Sequence, residues 1–291
     1  MTPGITTPLI KQGWLRAVLL FVAFISAGVL AGMAGGLFTL TSTGSAAFTQ
    51  RLLNSVTLAL FIFELVGIVL VILFRRYIDR RPVKSLGFQW QTFQPDALTG
   101  FCLGLALLGA GSLVLLASNN LEWTDAHFAP ADLFMGLVLM VVIAFTEEMV
   151  FRGYILNNLM ESMNKWAALG VSAALFTFAH GSNPGISFIA VINLLLAGLL
   201  LGINFIYTRN IWFAICFHFS WNFLQGPVLG YEVSGLPLQS VLQPSLRGPW
   251  WITGGSFGLE GSFVATGLLL FALLLLYAAY EKRYVNPVTA S

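Results

Sequence analysis

The sequence predicts an all-α protein, a polytopic membrane helix bundle of about eight transmembrane helices with both termini in the cytoplasm. Three observations predict this class: 57% of the 291 residues are hydrophobic, only 9% are charged, and the mean hydropathy is +0.84. Soluble domains carry about 25% charged residues. The net charge of +2 is too small to indicate a nucleic-acid partner. The expected partner is the lipid bilayer.

Apolar runs of about 20 residues can cross the ~30 Å hydrocarbon layer as helices. The first run is longer than the roughly 7–15-residue core of a signal peptide, which favours an uncleaved signal-anchor. The fifth run is short. The candidate runs occupy approximately residues 14–38, 52–74, 97–117, 131–156, 166–180, 187–207, 211–228 and 260–280.

The distribution of lysine and arginine predicts the orientation, because loops rich in these residues stay on the cytoplasmic side. With the N-terminus inside, only Arg51 and Arg247 of the 14 lysines and arginines fall in outside loops. The basic segment 75–95 also contains Phe88 and Trp90. This composition is compatible with an interfacial segment or with a solvated loop.

We predict one membrane domain with two parts. Residues 1–82 form N-terminal transmembrane helices and a basic cytoplasmic loop, and residues 83–285 form the core that carries the chemistry. Cys102 and Cys216 lie in apolar runs without CxxC spacing. We interpret these cysteines as small core residues, and we expect neither a disulfide nor a thiol–metal site.

Two adjacent carboxylates and an arginine lie at the end of the fourth run, in FTEEMVFR at residues 145–152. Each ionisable group at such a depth costs roughly 2.5 kcal/mol or more and indicates function by default. Residues four apart share a helix face, so Glu148 can pair with Arg152, whereas Glu147 points about 100° away. A paired carboxylate accepts protons poorly, which makes Glu147 the predicted base. A buried ion-pair cluster that only locks helix packing is the alternative.

Two histidines occur in further polar clusters within apolar runs. His180 ends FTFAH, directly before the helix-ending GSNPG at residues 181–185. Irregular backbone at membrane depth is tolerated only against protein or a wet cavity, so His180 is expected to face a cavity. A hydrogen bond across a helix interface is the alternative for His180, and we interpret Glu64 in the second run in that way. His218 and Asn222 lie four apart on one helix face.

A glutamate, two histidines and an asparagine suit hydrolysis in two ways, provided that a tilt of the fifth helix brings them to one depth. Without metal, Glu147 and His180 activate water while His218 and Asn222 donate to an oxyanion. Alternatively, Glu147, His180 and His218 hold zinc with a water in the fourth position, although HExxH spacing is absent. A transporter that relays protons or cations through the same residues is a third interpretation, but the flanking runs are almost free of polar residues.

The three clusters resemble the CPBP intramembrane proteases, a family that includes the type II CAAX prenyl proteases and the bacterial Abi, bacteriocin-processing proteins. Its pattern of EExxxR, FxxxH and HxxxN appears in order at residues 147–152, 176–180 and 218–222, and the resemblance extends over roughly residues 83–275. It implies an intramembrane endopeptidase whose site opens towards the cytoplasm. The implied catalytic residues are Glu147, Glu148, His180, His218 and Asn222, with Arg152 and Phe176 as structural support.

The resemblance also implies a peptide or lipidated-protein substrate and a multi-pass location in a bacterial cytoplasmic membrane. Members of the family are named metalloproteases, yet a metal-free glutamate mechanism is also proposed for them, so zinc bound by His180, His218 and Glu147 stays an open alternative. A non-proteolytic transporter, scaffold or immunity protein that uses the same buried cluster is the alternative function. The sequence contains no signal for an oligomeric state.

Overall fold

The structure, a computed structural model, describes residues 7–40 and 46–285, with the side chains of residues 35 and 37–56 left out. It is mostly helical, as the sequence predicts. In chain order, the α-helices are α1 (Gly13–Leu40), α2 (Ala46–Leu73), α3 (Gln94–Ala117), α4 (Pro130–Glu148), α5 (Lys165–Ala179), α6 (Phe188–Thr208), α7 (Trp212–Phe223), α8 (Trp250–Thr253) and α9 (Phe263–Tyr284).

Three of these helices continue as π-helical segments, in which the hydrogen bonds span five residues instead of four and each turn is wider. The π-helical segments are Phe74–Ile78 after α2, Met149–Leu156 after α4 and Leu224–Val228 after α7. A last helical turn, Asn157–Leu159, follows the second of them, and 3₁₀ turns occupy Val83–Leu86, Gly255–Phe257 and Leu259–Gly261. Such π-helical insertions occur frequently at functional sites.

Two short strands, which the sequence did not predict, form a ribbon outside the helices. Strand β1 (Leu121–Ala126) pairs antiparallel with β2 (Leu242–Leu246), with Leu121 opposite Leu246 and an irregularity between Trp123 and Asp125. The ribbon joins the α3–α4 connection to the long segment between α7 and α9.

Within the described residues, six helices are long and apolar enough to cross a membrane, which makes the protein an integral, multi-pass membrane protein. Helices also exist at the fifth and seventh predicted positions, but α5 has 15 residues and α7 has 12. The predicted count of eight spans is therefore not confirmed. The six helices are Gly13–Ala34, Thr57–Ile78, Gln94–Ala117, Pro130–Leu159, Phe188–Thr208 and Phe263–Tyr284.

The closest helix pairs are α3 with α7, α1 with α2, α5 with α6, and α6 with α9. Gly100 and Gly104 bring α3 onto α7, since a Cβ at either position would overlap the Phe213 carbonyl or the Ser220 side chain. Small residues at a helix interface allow such a close approach in membranes. The contact fixes α7, the helix that carries His218 and Asn222. Cys102 of α3 is exposed, so its interpretation as a core residue was wrong.

A buried ion network ties the first two helices to the extension of α4. Asp79 accepts from Arg16 Nη1 at 2.9 Å, from Arg75 Nη1 at 2.7 Å and from the Tyr154 hydroxyl at 3.0 Å. Arg16 also pairs with Glu161. Both Arg75 and Asp79 are buried. The interpretation of the basic segment 75–95 as interfacial or solvated is therefore wrong for these two residues, whose charges face protein, whereas Arg76, Lys84 and Trp90 of the same segment are exposed.

Candidate active site

A cavity of about 540 Å³ lies within the helix bundle, and residues of α1, α2, α4, α5, α6, α7 and α9 line it together with the loops after α5 and α7. Apart from Glu64, the residues that α1 and α2 contribute to the cavity wall are apolar, with Phe24, Ile25 and Phe63 among them. Polar residues from all three sequence motifs line the same space. The polar side chains that matter below are Glu64, Glu147, His180, His218, Asn222 and Glu260.

The structure brings Glu147, His180 and His218 together, as the depth argument required. Oε2 of Glu147 is 3.8 Å from Nε2 of His180 and 4.0 Å from Nε2 of His218. Within the described part of the chain, this buried oxygen has no hydrogen-bond partner. Both separations are longer than a direct hydrogen bond. A water or a substrate atom can therefore lie between the three groups.

Hydrogen bonds orient both imidazole rings towards Glu147. Nδ1 of His180 is 2.8 Å from the main-chain oxygen of Phe176, and Nδ1 of His218 is 2.9 Å from Oε1 of Glu148. Because these oxygens accept, each Nδ1 carries the proton. A neutral ring then has its lone pair on Nε2, the atom that faces Glu147.

Glu148 and Arg152 form the ion pair that their spacing predicts, with Nη1 of Arg152 donating to Oε1 of Glu148 at 2.8 Å. Nη2 of Arg152 donates to the main-chain oxygen of Gly198 at 3.0 Å, and the guanidinium lies 4.6 Å from the centre of the Phe176 ring. The pair is fully buried. Glu148 therefore lies behind the cavity wall, where it holds His218, a contact that helix spacing could not predict.

Local sequence explains why these side chains face the cavity. The helix changes from α-helical to π-helical hydrogen bonding directly after Glu148. This change rotates the residues that follow relative to their positions in a regular α-helix. Helix α5 begins at the N-cap Asn164, which accepts from two main-chain amides, and it ends at His180 before the turn at residues 181–185. His180 thus stands at a helix end, where its ring is free to face the cavity.

The residues that face each other have the donor types of a catalytic zinc site. Ligands at 2.0–2.2 Å in a tetrahedral site are about 3.4 Å apart, whereas the distances from Glu147 to the two histidines are 3.8 and 4.0 Å. In the described residues, no group of three or more His, Cys, Asp or Glu is arranged to hold a metal ion. The donor types fit zinc, and their spacing is wider than that of a formed site.

Two carboxylates in the cavity were not assigned to the site from the sequence. Glu260 accepts from Trp221 Nε1 at 3.1 Å and from the Ser234 amide and hydroxyl at 2.8 and 2.9 Å. Glu260 belongs to the 3₁₀ turn before α9. The sequence feature that could have indicated it is the rarity of acidic residues, since the chain has only 12.

Glu64 was interpreted as a helix-packing hydrogen bond, an interpretation that fits its main-chain oxygen but does not account for the buried Oε2 of its carboxyl group. A packing bond exists, but it runs from Thr146 Oγ1 to the main-chain oxygen of Glu64 at 3.2 Å. The carboxyl group itself lines the cavity, and its Oε2 has no partner among the described residues. No partner close in sequence could have indicated this placement.

Fold and site together define a multi-pass membrane protein with a polar Glu/His site in a cavity inside its helix bundle. A family model described as "Type II CAAX prenyl endopeptidase Rce1-like" matches residues 129–224, a segment that contains all three motifs. Over this segment, the match confirms the predicted resemblance, and it points to a CAAX-type intramembrane endopeptidase. No curated protein gives a match to the chain.

Proposed function

We propose that the protein hydrolyses peptide bonds of membrane-associated or lipidated peptides, with Glu147 as the general base. The observation that carries this proposal is the unpartnered Oε2 of Glu147, 3.8 and 4.0 Å from the Nε2 atoms of His180 and His218. The apolar wall formed by α1 and α2 supports a substrate with a hydrocarbon chain, because burial of such a chain is favourable.

In the proposed reaction, a water binds between Glu147 and His180, and Glu147 takes its proton as the oxygen attacks the scissile carbonyl carbon. The carbonyl oxygen becomes an oxyanion, which accepts from the Asn222 amide and from Nε2–H of protonated His218. Glu148 stabilises that protonated ring through Nδ1, and Arg152 holds Glu148 in place. Glu147 then passes the proton to the leaving amine, and the C–N bond breaks.

Purified protein in detergent is expected to cleave a lipidated fluorogenic reporter peptide, and chelator dialysis is expected to leave kcat unchanged. The reason is the spacing at Glu147, which suits a bound water better than a tetrahedral metal ion. Elemental analysis before and after dialysis provides the control. Zinc that is stoichiometric at the start and lost together with activity would show instead that His180, His218 and Glu147 hold zinc, which would supply a Lewis acid to polarise the substrate carbonyl.

We also propose that the chain crosses a bacterial cytoplasmic membrane eight times, with both termini and the mouth of the site on the cytoplasmic side. Basic residues at the start of α5 (Lys165) and near the end of α9 (Lys282 and Arg283) support this orientation. In a cysteine-free background, a cysteine at exposed Arg247 is expected to react with a membrane-impermeant thiol reagent in spheroplasts, and one at exposed Lys282 is not. The opposite labelling pattern would reverse the topology.

A further inference from the structure

The carboxylates that line the cavity are not balanced by basic side chains. Glu64, Glu147 and Glu260 all line it, and no lysine or arginine does so among the described residues. The hydrogen-bond partners of Glu260 are neutral: an indole N–H, a main-chain amide and a serine hydroxyl. Of the described residues that line the cavity, His180 and His218 alone can carry a positive charge. The cavity is therefore built to receive positive rather than negative charge.

The proposed hydrolysis uses neither Glu64 nor Glu260, and of these two lining carboxylates Glu64 is the one with a carboxyl oxygen that has no partner among the described residues. Its side chain is 1% exposed, and its buried Oε2 has no hydrogen-bond partner in the part of the chain that the structure describes. An unsatisfied buried carboxyl oxygen is costly, and a ligand that donates to it recovers that cost. Glu64 thus presents an open acceptor to whatever fills the cavity.

The packing of α2 on α4 holds Glu64 close to the catalytic centre. Thr146, next to Glu147 in the chain, donates to the main-chain oxygen of Glu64 at 3.2 Å. Gly67, one turn further along α2, allows this approach, because a Cβ there would lie 2.7 Å from the Thr146 methyl group. Glu64 and Glu147 are near enough to interact electrostatically. A group bound to Glu64 therefore lies near the bond that Glu147 would hydrolyse.

We infer that Glu64 forms a specificity subsite for a lysine or arginine side chain of the substrate, close to the scissile bond. The inference rests on the proposed endopeptidase function and names the substrate class that this site takes. A basic side chain suits one buried carboxylate, because a charge-assisted hydrogen bond compensates for the desolvation of both groups. An acidic side chain or a free carboxylate at the same place would be repelled by Glu147 and Glu260 and could not form a charge-assisted hydrogen bond with Glu64.

The test uses the full-length protein and sets of lipidated reporter peptides that differ at one residue. Lysine, glutamine and glutamate are placed in turn at each of the two positions on either side of the cleaved bond, and kcat/KM is measured. We expect one position at which lysine is preferred over glutamine and glutamine over glutamate. Glu64→Gln is expected to reduce the lysine-to-glutamine ratio about tenfold while cleavage of the glutamine peptide is retained. Glu122→Gln, at an exposed site on β1, is the matched control and should leave the ratio unchanged.

Equal kcat/KM for all three residues at every position, with the glutamine peptides cleaved, would overturn the subsite and leave the peptidase function standing. No cleavage of any peptide by the wild type would instead contradict the proposed function and the subsite with it. If the Glu64→Gln variant does not fold, a competition measurement on the wild type is used in its place. An uncleavable lysine peptide then inhibits more strongly than its glutamine counterpart if the subsite exists, and equal inhibition by the two rejects it.

Discussion

Replacing Glu147 with glutamine is expected to lower kcat for reporter cleavage by about 10²–10⁴-fold, the usual contribution of a general base. Glutamine keeps the shape of the side chain but cannot accept the proton of the attacking water. KM should change much less, because the substitution removes an interaction made in the transition state. The measurement is steady-state cleavage of the lipidated reporter in detergent, with Glu122→Gln as a matched control at an exposed position.

Two further results decide between hydrolysis and the alternatives. His180→Ala should also abolish cleavage, since it removes the second group that faces the water position, while thermal unfolding of the variant stays close to that of the wild type. Full activity of Glu147→Gln would remove Glu147 from the reaction. Proton flux into liposomes that depends on Glu147, in a protein that cleaves no peptide, would favour the transporter interpretation.

Asp79→Asn is expected to reduce the free energy of unfolding by about 3–5 kcal/mol, the usual cost of removing one partner from a buried ion pair. Asp79 accepts from Arg16, Arg75 and Tyr154, and all three partners are buried. Asparagine has a similar shape but no charge, so both guanidinium groups would stay buried without full compensation. Denaturant titration of the detergent-solubilised protein, followed by tryptophan fluorescence, measures the change.

Asp125→Asn provides the control for that substitution, because Asp125 is exposed on β1. We expect its unfolding free energy to stay within about 0.5 kcal/mol of the wild-type value, as for most surface substitutions. If Asp79→Asn were as stable as this control, the network would contribute nothing to holding α1 and α2 on α4. Other contacts would then have to hold α1 and α2 in the positions where they form part of the cavity wall.

Sequence patterns predicted the parts of the site that depend on local geometry. The four-residue spacing of Glu148 and Arg152 predicts an ion pair, and the same spacing places His218 and Asn222 on one helix face. Depths calculated from the helix rise per residue could not decide whether Glu147 lies next to the two histidines. The structure establishes it with distances of 3.8 and 4.0 Å. The catalytic roles of these residues stay predictions until the variants are measured.

The remaining features depend on contacts between segments that are distant in sequence. Hydropathy and the positive-inside rule count Arg75 as a cytoplasmic loop residue, because neither considers a partner as far away as Arg16 or Tyr154. Glu64 gave no signal of its position because its neighbours in the cavity come from other helices. The ribbon was missed for the same reason, since its strands, 121–126 and 242–246, are far apart in the chain.

The position of the Asp79 network along the chain has a consequence for biogenesis. Arg16, Arg75 and Asp79 are all synthesised before any residue of α4, and α1 packs directly on α2. The two arginines can therefore pair with Asp79 while the helical hairpin enters the bilayer, so that the aspartate is not an isolated charge at that stage. Tyr154 and Glu161, which are synthesised later, complete the network, and Glu161 adds a second carboxylate to the two arginines and Asp79. The N-terminal hairpin can thus present Asp79, already paired with arginine, as the acceptor for Tyr154 in the extension of the helix that carries Glu147.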